Sequence, residues 1–183
     1  GVFEFDIPDA STTISLSDRN YGKLVLSAYA AGGLLDYTAA STRRITVRSD
    51  FEINLGVRLN LNCSDTFLIG RNFIQHGGII NLSSLSRKLV MAVSGSLTQA
   101  AAGIISETGS SSAELVLVGN NQQAVDMRGE ILNNVLFKLK NSSGAILNAP
   151  LQLPFSLVLS PQCLHHTIRG YSVSFAPMTQ QMV

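Results

Sequence analysis

The run Phe51-Glu52-Ile53-Asn54-Leu55-Gly56-Val57-Arg58-Leu59-Asn60-Leu61-Asn62-Cys63 decides the fold class. Every odd position is apolar and every even position is polar or glycine. A period of two puts the two sets on opposite faces of a strand, one dry and one wet. A layer with one dry face is expected to be antiparallel. The same rhythm returns at Phe3-Glu4-Phe5-Asp6-Ile7, Val135–Leu139, Leu151–Leu159 and Tyr171–Phe175. Pro154 lacks a ladder donor, which puts its strand at an edge or a bulge. Shorter strands are expected at 12–16, 23–28, 44–47, 67–69, 88–93 and 113–118.

Turn residues separate these runs: Pro8-Asp9, Asp18-Arg19-Asn20, Gly32-Gly33, Gly77-Gly78, Gly119-Asn120-Asn121 and Asn141-Ser142-Ser143-Gly144. Many short strands at this spacing predict an all-β, antiparallel jelly-roll β-sandwich. The few short helices expected are Thr98–Ile105, which is Ala-rich but carries Gly103, and Asp126–Asn133. The 183 residues suit one domain, 1–183. No internal repeat is evident.

Charged residues make up 14% and apolar residues 45%, with a net charge of +1. An average soluble domain carries about 25% charged residues. So low a charge predicts that much of the surface is hidden against partners. The densest basic stretch is Arg43, Arg44 and Arg48, too sparse for a strong electrostatic nucleic-acid binder. Weak, non-specific RNA contact is compatible with it. No apolar run reaches the roughly 18–20 residues needed to span a bilayer, and no membrane partner is expected.

Sequence chemistry is thin. There is no G-x-S-x-G elbow, P-loop, C-x-x-C or H-E-x-x-H. His76-Gly77-Gly78 has the look of an oxyanion-hole loop but lacks a serine elbow, and a glycine turn is the plainer reading. His165 and His166 are neighbours and would face opposite sides of a strand, so they do not chelate one metal. Cys63 and Cys163 read either as two buried free thiols of a reducing compartment or as a disulfide. Asn62, Asn81 and Asn141 stand in N-x-S triplets of a kind common by chance. Ser110–Ser112 is a loop tip by composition. No catalytic, cofactor-binding or metal-ligating residue is assigned, no cofactor or small-molecule substrate is expected, and the chain is not expected to be an enzyme.

Several segments resemble the small coat proteins of the plant picorna-like viruses, the Secoviridae. The opening F-x-F-D-[LI] strand appears as Phe3-Glu4-Phe5-Asp6-Ile7, followed by the stretch from Asp18 to Leu35 and the long strand 51–61. A Gly-x-Asn strand end is similar to Gly119-Asn120-Asn121. The Asn-x-x-h-x-h pattern is similar to Asn133–Leu139, ahead of Leu151–Leu159. The family's Trp-containing segments have no counterpart here. Gly1 fits the residue left by a viral protease cut, and 19.6 kDa suits the smallest member of a three-coat-protein set, as in cheraviruses.

The resemblance implies a structural capsid protein that joins partner coat subunits in an icosahedral shell around an RNA genome, located in the virion and assembled in the host cytoplasm. Wedge-shaped sandwiches would tile the shell, and Gly32-Gly33, Gly77-Gly78 and Ser110–Ser112 would be loops lining symmetry axes. With no basic arm, genome neutralisation would fall to partners or polyamines. The alternative is a chaperone–usher fimbrial subunit or other secreted, self-assembling adhesin, in which residues 3–7 complete a neighbour's sheet.

Overall fold

The computed structural model describes residues 1–7, 12–14, 20–28, 34–41, 43–83, 88–109, 112–154, 156–159, 169–170 and 172–175. Its strand pairs are all parallel, and each sheet takes every third strand along the chain. The first wall stacks Val2–Ile7, Lys23–Ala28, Phe51–Ile53, Phe73–Gln75, Leu97–Gln99, Gln123–Met127, Ala145–Leu147 and Arg169–Gly170. The second wall stacks Thr12–Ile14, Leu35–Ser41, Val57–Cys63, Gly78–Asn81, Gly103–Ser106 and Glu130–Ile131. The third stacks Asn20–Tyr21, Ile45–Val47, Thr66–Ile69, Val90–Val93, Ala113–Leu117, Val135–Leu139 and Ser156–Leu159. Leu151–Leu153 pairs with Val173–Phe175 in a short separate sheet. One coil takes about 20 to 28 residues, as the partners Leu136–Ser156 and Leu97–Val125 show. The chain is a three-walled parallel β-solenoid.

The antiparallel jelly-roll expectation is therefore overturned. Alternation reports which side chains are dry; it does not report the direction of the neighbouring strand. The expected single strand 51–63 is two walls of one coil, joined by a turn at Leu55-Gly56. Phe51, Ile53, Val57, Leu59, Leu61 and Cys63 are buried as expected, whereas Leu55, at the corner, is 66% exposed. Pro154 likewise marks the break between Leu151–Leu153 and Ser156–Leu159. The described residues contain no helix. The expected helix 98–105 is a strand end, a turn at Ala101-Ala102 and the strand Gly103–Ser106; the expected helix 126–133 is also strand and turn. The turns at Gly77-Gly78, Gly119-Asn120-Asn121 and Asn141-Ser142-Ser143-Gly144 exist, but they bend the chain round a corner and do not reverse it.

The core is made of rows in register. Ile45, Phe67, Met91, Leu115, Phe137 and Leu157 form one row on the third wall. Leu24, Phe51, Phe73, Leu97, Val125 and Leu147 form another on the first, with the exposed Phe3 at its head. Phe51 sits 5.7 Å from Phe73 in a stacked pair and 4.9 Å from Phe67 across the core. Each fully buried side chain of these rows contributes about 1.5–3 kcal/mol by leaving water.

Buried amides tie the corners. Gln99 Nε2 donates to Gln75 Oε1 (3.2 Å) and to the carbonyl of Gly103 (3.2 Å). Gln123 Nε2 donates to the carbonyl of Val93 (3.0 Å), while its Oε1 accepts from Gly119 N and from Asn141 Nδ2 (both 2.9 Å). Close stacking demands glycine at some corners. Gly78 has φ +71°, and a Cβ there would lie 2.3 Å from the Val57 carbonyl oxygen. At Gly119 it would lie 2.4 Å from that of Ser94.

Candidate functional site: a polar groove on the second wall

The even positions of the run that opened the sequence analysis point outward from the second wall. Register sets Asp36, Arg58, Ile79 and Ile104 in one row across four coils. Beside it runs a row of Thr38, Asn60, Asn81 and Ser106. With Thr108, Leu132 and Asn133 these residues line a groove of about 620 Å³.

Hydrogen bonds run through the groove in one direction. Ser106 Oγ donates to Asn81 Oδ1 (3.2 Å), Asn81 Nδ2 to Asn60 Oδ1 (3.3 Å), and Asn60 Nδ2 to Asp36 Oδ1 (3.0 Å). Asn81 Nδ2 also donates to Thr108 Oγ1 at 2.8 Å. The chain ends on a carboxylate held by Arg58, whose Nε donates to Asp36 Oδ1 and whose Nη2 donates to Oδ2 at 2.6 Å. Hydrogen bonding to Asp36 lifts the Arg58 guanidinium above its already high ordinary pKa. Such a linked network orients each amide before any ligand arrives.

The far wall of the groove is braced by a buried acid. Asn133, with φ 61°, donates from Nδ2 to the Glu107 carbonyl oxygen at 2.6 Å. The Glu107 side chain is buried, and its Oε1 has no hydrogen-bond partner among the described residues. Burial pushes its pKa above the usual carboxylate range, opposed by a hydrogen bond from the Gly109 backbone. The folded state therefore binds this proton more tightly than the unfolded chain. Glu107 favours folding fully below its unfolded pKa, near 4.3, and that contribution is lost as pH rises through the raised folded value. Glu107→Gln removes the ionisation. The variant is expected to match the wild type near pH 4 and to exceed its melting temperature at pH 7–8. An equal difference between the two proteins at every pH would contradict this assignment.

The residues singled out by sequence lie elsewhere. His76 is exposed at a first-to-second-wall corner, beside Gly77 and Gly78, and does not line the groove. Arg43 and Arg44 are exposed at the corner before the strand Ile45–Val47, and Arg48 is exposed after it; none of the three lines the groove. Cys63 is buried, its thiol 3.7 Å from the Ala39 carbonyl oxygen. Cys163, His165, His166, Gly32, Gly33, Ser110, Ser111, Pro8, Asp9, Asp18, Arg19 and Tyr171 lie outside the described residues. Of the N-x-S asparagines, Asn141 is buried and bonded to the Asn121 carbonyl at 2.5 Å, and Asn81 belongs to the groove network. Among the described residues no three His, Cys, Asp or Glu side chains converge as a metal site, and no helix is long and apolar enough to cross a membrane.

Fold and groove together define a parallel β-solenoid with a side-chain-lined furrow along one wall. No protein-family model, curated protein or solved structure matches the chain.

Proposed function

We propose that this chain is a non-enzymatic structural and recognition module, a rigid solenoid whose second wall binds a linear polymer laid along its axis. The observation that supports this reading is the oriented hydrogen-bond chain from Ser106 through Asn81 and Asn60 to Asp36, running beside the aliphatic strip of Ile79 and Ile104. A groove that crosses successive coils suits a ligand with many repeats better than a compact one. Asp36 is the only carboxylate among the described lining residues, and Arg58 holds it. A pair of carboxylates for acid–base work is not assembled there.

The test is a binding panel of neutral polysaccharides, acidic polysaccharides, single-stranded RNA and unstructured peptides, run on the wild type and on Ile104→Trp, which fills the groove. At least one polymer is expected to bind the wild type and to bind the variant more than about tenfold more weakly, with the melting temperature unchanged. Binding by no polymer, or binding indifferent to the tryptophan, overturns the reading.

A second reading, a subunit of a coat or other assembled particle, keeps one structural observation in its favour. Large apolar side chains are exposed at several places among the described residues: Val2 and Phe3 in the first coil, Leu34, Leu55 and Leu132 at points between, and Ile146, Val158 and Leu159 further along. The wedge-tiling argument has lapsed with the sandwich that supplied it. Low charge has also acquired a second cause. Stacked coils bring equivalent outward residues about 4.7–4.9 Å apart, where like charges repel, so uncharged rows such as Thr38, Asn60, Asn81 and Ser106 favour the stack. Electron microscopy of the concentrated protein separates the two causes: shells or ordered arrays support the particle, and dispersed monomers count against it.

A further inference from the structure

We infer that the polymer taken by the groove is neutral and rich in hydroxyl groups, a linear glycan without carboxylate, sulfate or phosphate groups; this rests on the reading of the groove as a binding site. The first support is charge. Asp36 and Arg58 are the only charged residues among the described groove lining, and each neutralises the other. The pair leaves Arg58 other N–H donors, but an anionic ligand reaching them would lie beside the Asp36 carboxylate, and the net charge it meets is zero.

The second support is the type of polar group. Thr38, Asn60, Asn81, Ser106, Thr108 and Asn133 each carry both a donor and an acceptor. A sugar hydroxyl also donates and accepts, so it can join the network at the more open members, Thr38, Asn60, Thr108 and Asn133, while buried Asn81 and Ser106 orient them from beneath. Ile79 and Ile104 are half-buried beside the polar row and offer an apolar surface to the C–H face of a ring.

The third support is spacing. The rungs advance one coil at a time, about 4.7–4.9 Å. An extended peptide advances about 3.2–3.4 Å per residue and falls out of step. The backbone of this wall is already paired with the coils on either side, so a peptide has no free edge to join along it. Among glycans, an extended β-1,4-linked chain of pyranose rings comes nearest to one coil per ring.

The test is native affinity electrophoresis through gels containing dextran, mannan, xylan, mixed-linkage β-glucan or starch, with polygalacturonate and heparin as acidic counterparts. The wild type is expected to be retarded by at least one neutral polymer and by neither acidic one. Ser106→Ala and the near-isosteric Thr38→Val are each expected to weaken that retardation about tenfold; Thr38→Val leaves the melting temperature unchanged, whereas Ser106→Ala, which removes a buried hydrogen bond to Asn81, lowers it by a few degrees while the protein stays folded at the temperature of the gel. Retardation by acidic polymers alone, abolished by Arg58→Met, would overturn the neutral-ligand inference while leaving the groove as a binding site. Retardation by a neutral polymer that neither Ser106→Ala nor Thr38→Val affects overturns the inference as well. If no polymer of either kind retards the protein, the groove reading falls with it.

Discussion

Replacing Phe51 by Ala is expected to lower the unfolding free energy by about 3–5 kcal/mol, the usual cost of emptying a buried aromatic site. Phe51 is fully buried at the point where the first and third walls meet. Its ring stacks on Phe73 of the next coil and tilts against Phe67 of its own. Its backbone is pinned on both sides, to Leu24 and Phe73. The coil therefore has little freedom to collapse into the space left behind. Phe51→Leu retains most of the volume and should cost clearly less. Urea unfolding followed by circular dichroism gives both numbers. If Phe51→Ala costs under about 1 kcal/mol, the ring is not packed between coils as described.

Gly119→Ala tests the corners, and a loss of about 2–5 kcal/mol is expected from overpacking combined with broken buried hydrogen bonds. The new methyl would lie 2.4 Å from the Ser94 carbonyl oxygen, a backbone atom that cannot swing away. It would also lie 2.8 Å from Gln123 Cδ. Moving Gln123 breaks its bonds to Val93 and Gly95 in the coil before and to Asn141 in the coil after. One methyl group thus disturbs three coils. A variant that unfolds within about 0.5 kcal/mol of the wild type would show that the corners are not stacked this closely.

The sequence shows which side chains are inside and does not show how the strands are joined. The odd residues of 51–63 are buried except Leu55, and that exception marks the corner. Thirteen alternating residues is long for one strand, since about 5–6 is usual, and Gly56 (φ +82°) in their midst was the available sign of a break. A second sign was the recurrence of Gly70, Gly95, Gly119 and Gly144, which are third-to-first-wall corners. It is hard to see because the residues around these glycines differ; stacking repeats the size and polarity of side chains, not their identity. The Ala-rich segment at 98–105 satisfied helical propensity locally, yet Leu97 and Gln99 had in-register partners waiting in the coils on either side.

The groove was half legible. Asn60 and Arg58 belong visibly to the wet side of the opening run. Their convergence with Asn81, Ser106 and Asp36 depends on parallel register between segments some 20 to 25 positions apart. No spacing rule within one segment reveals it. Glu107 was invisible for the same reason, since an isolated glutamate in a chain gives no hint that neighbouring coils will close over it.

Winding also sets how this molecule answers tension. A coil is held chiefly by the ladders on its two flanks, so a pull applied at the ends peels the outermost turn and leaves the interior turns intact. Each turn released spans about 65–100 Å when taut, at roughly 3.3–3.6 Å per residue, yet it occupied only about 4.8 Å of axis while folded. The solenoid is thus a spool that pays out length in quanta, absorbing mechanical work one turn at a time.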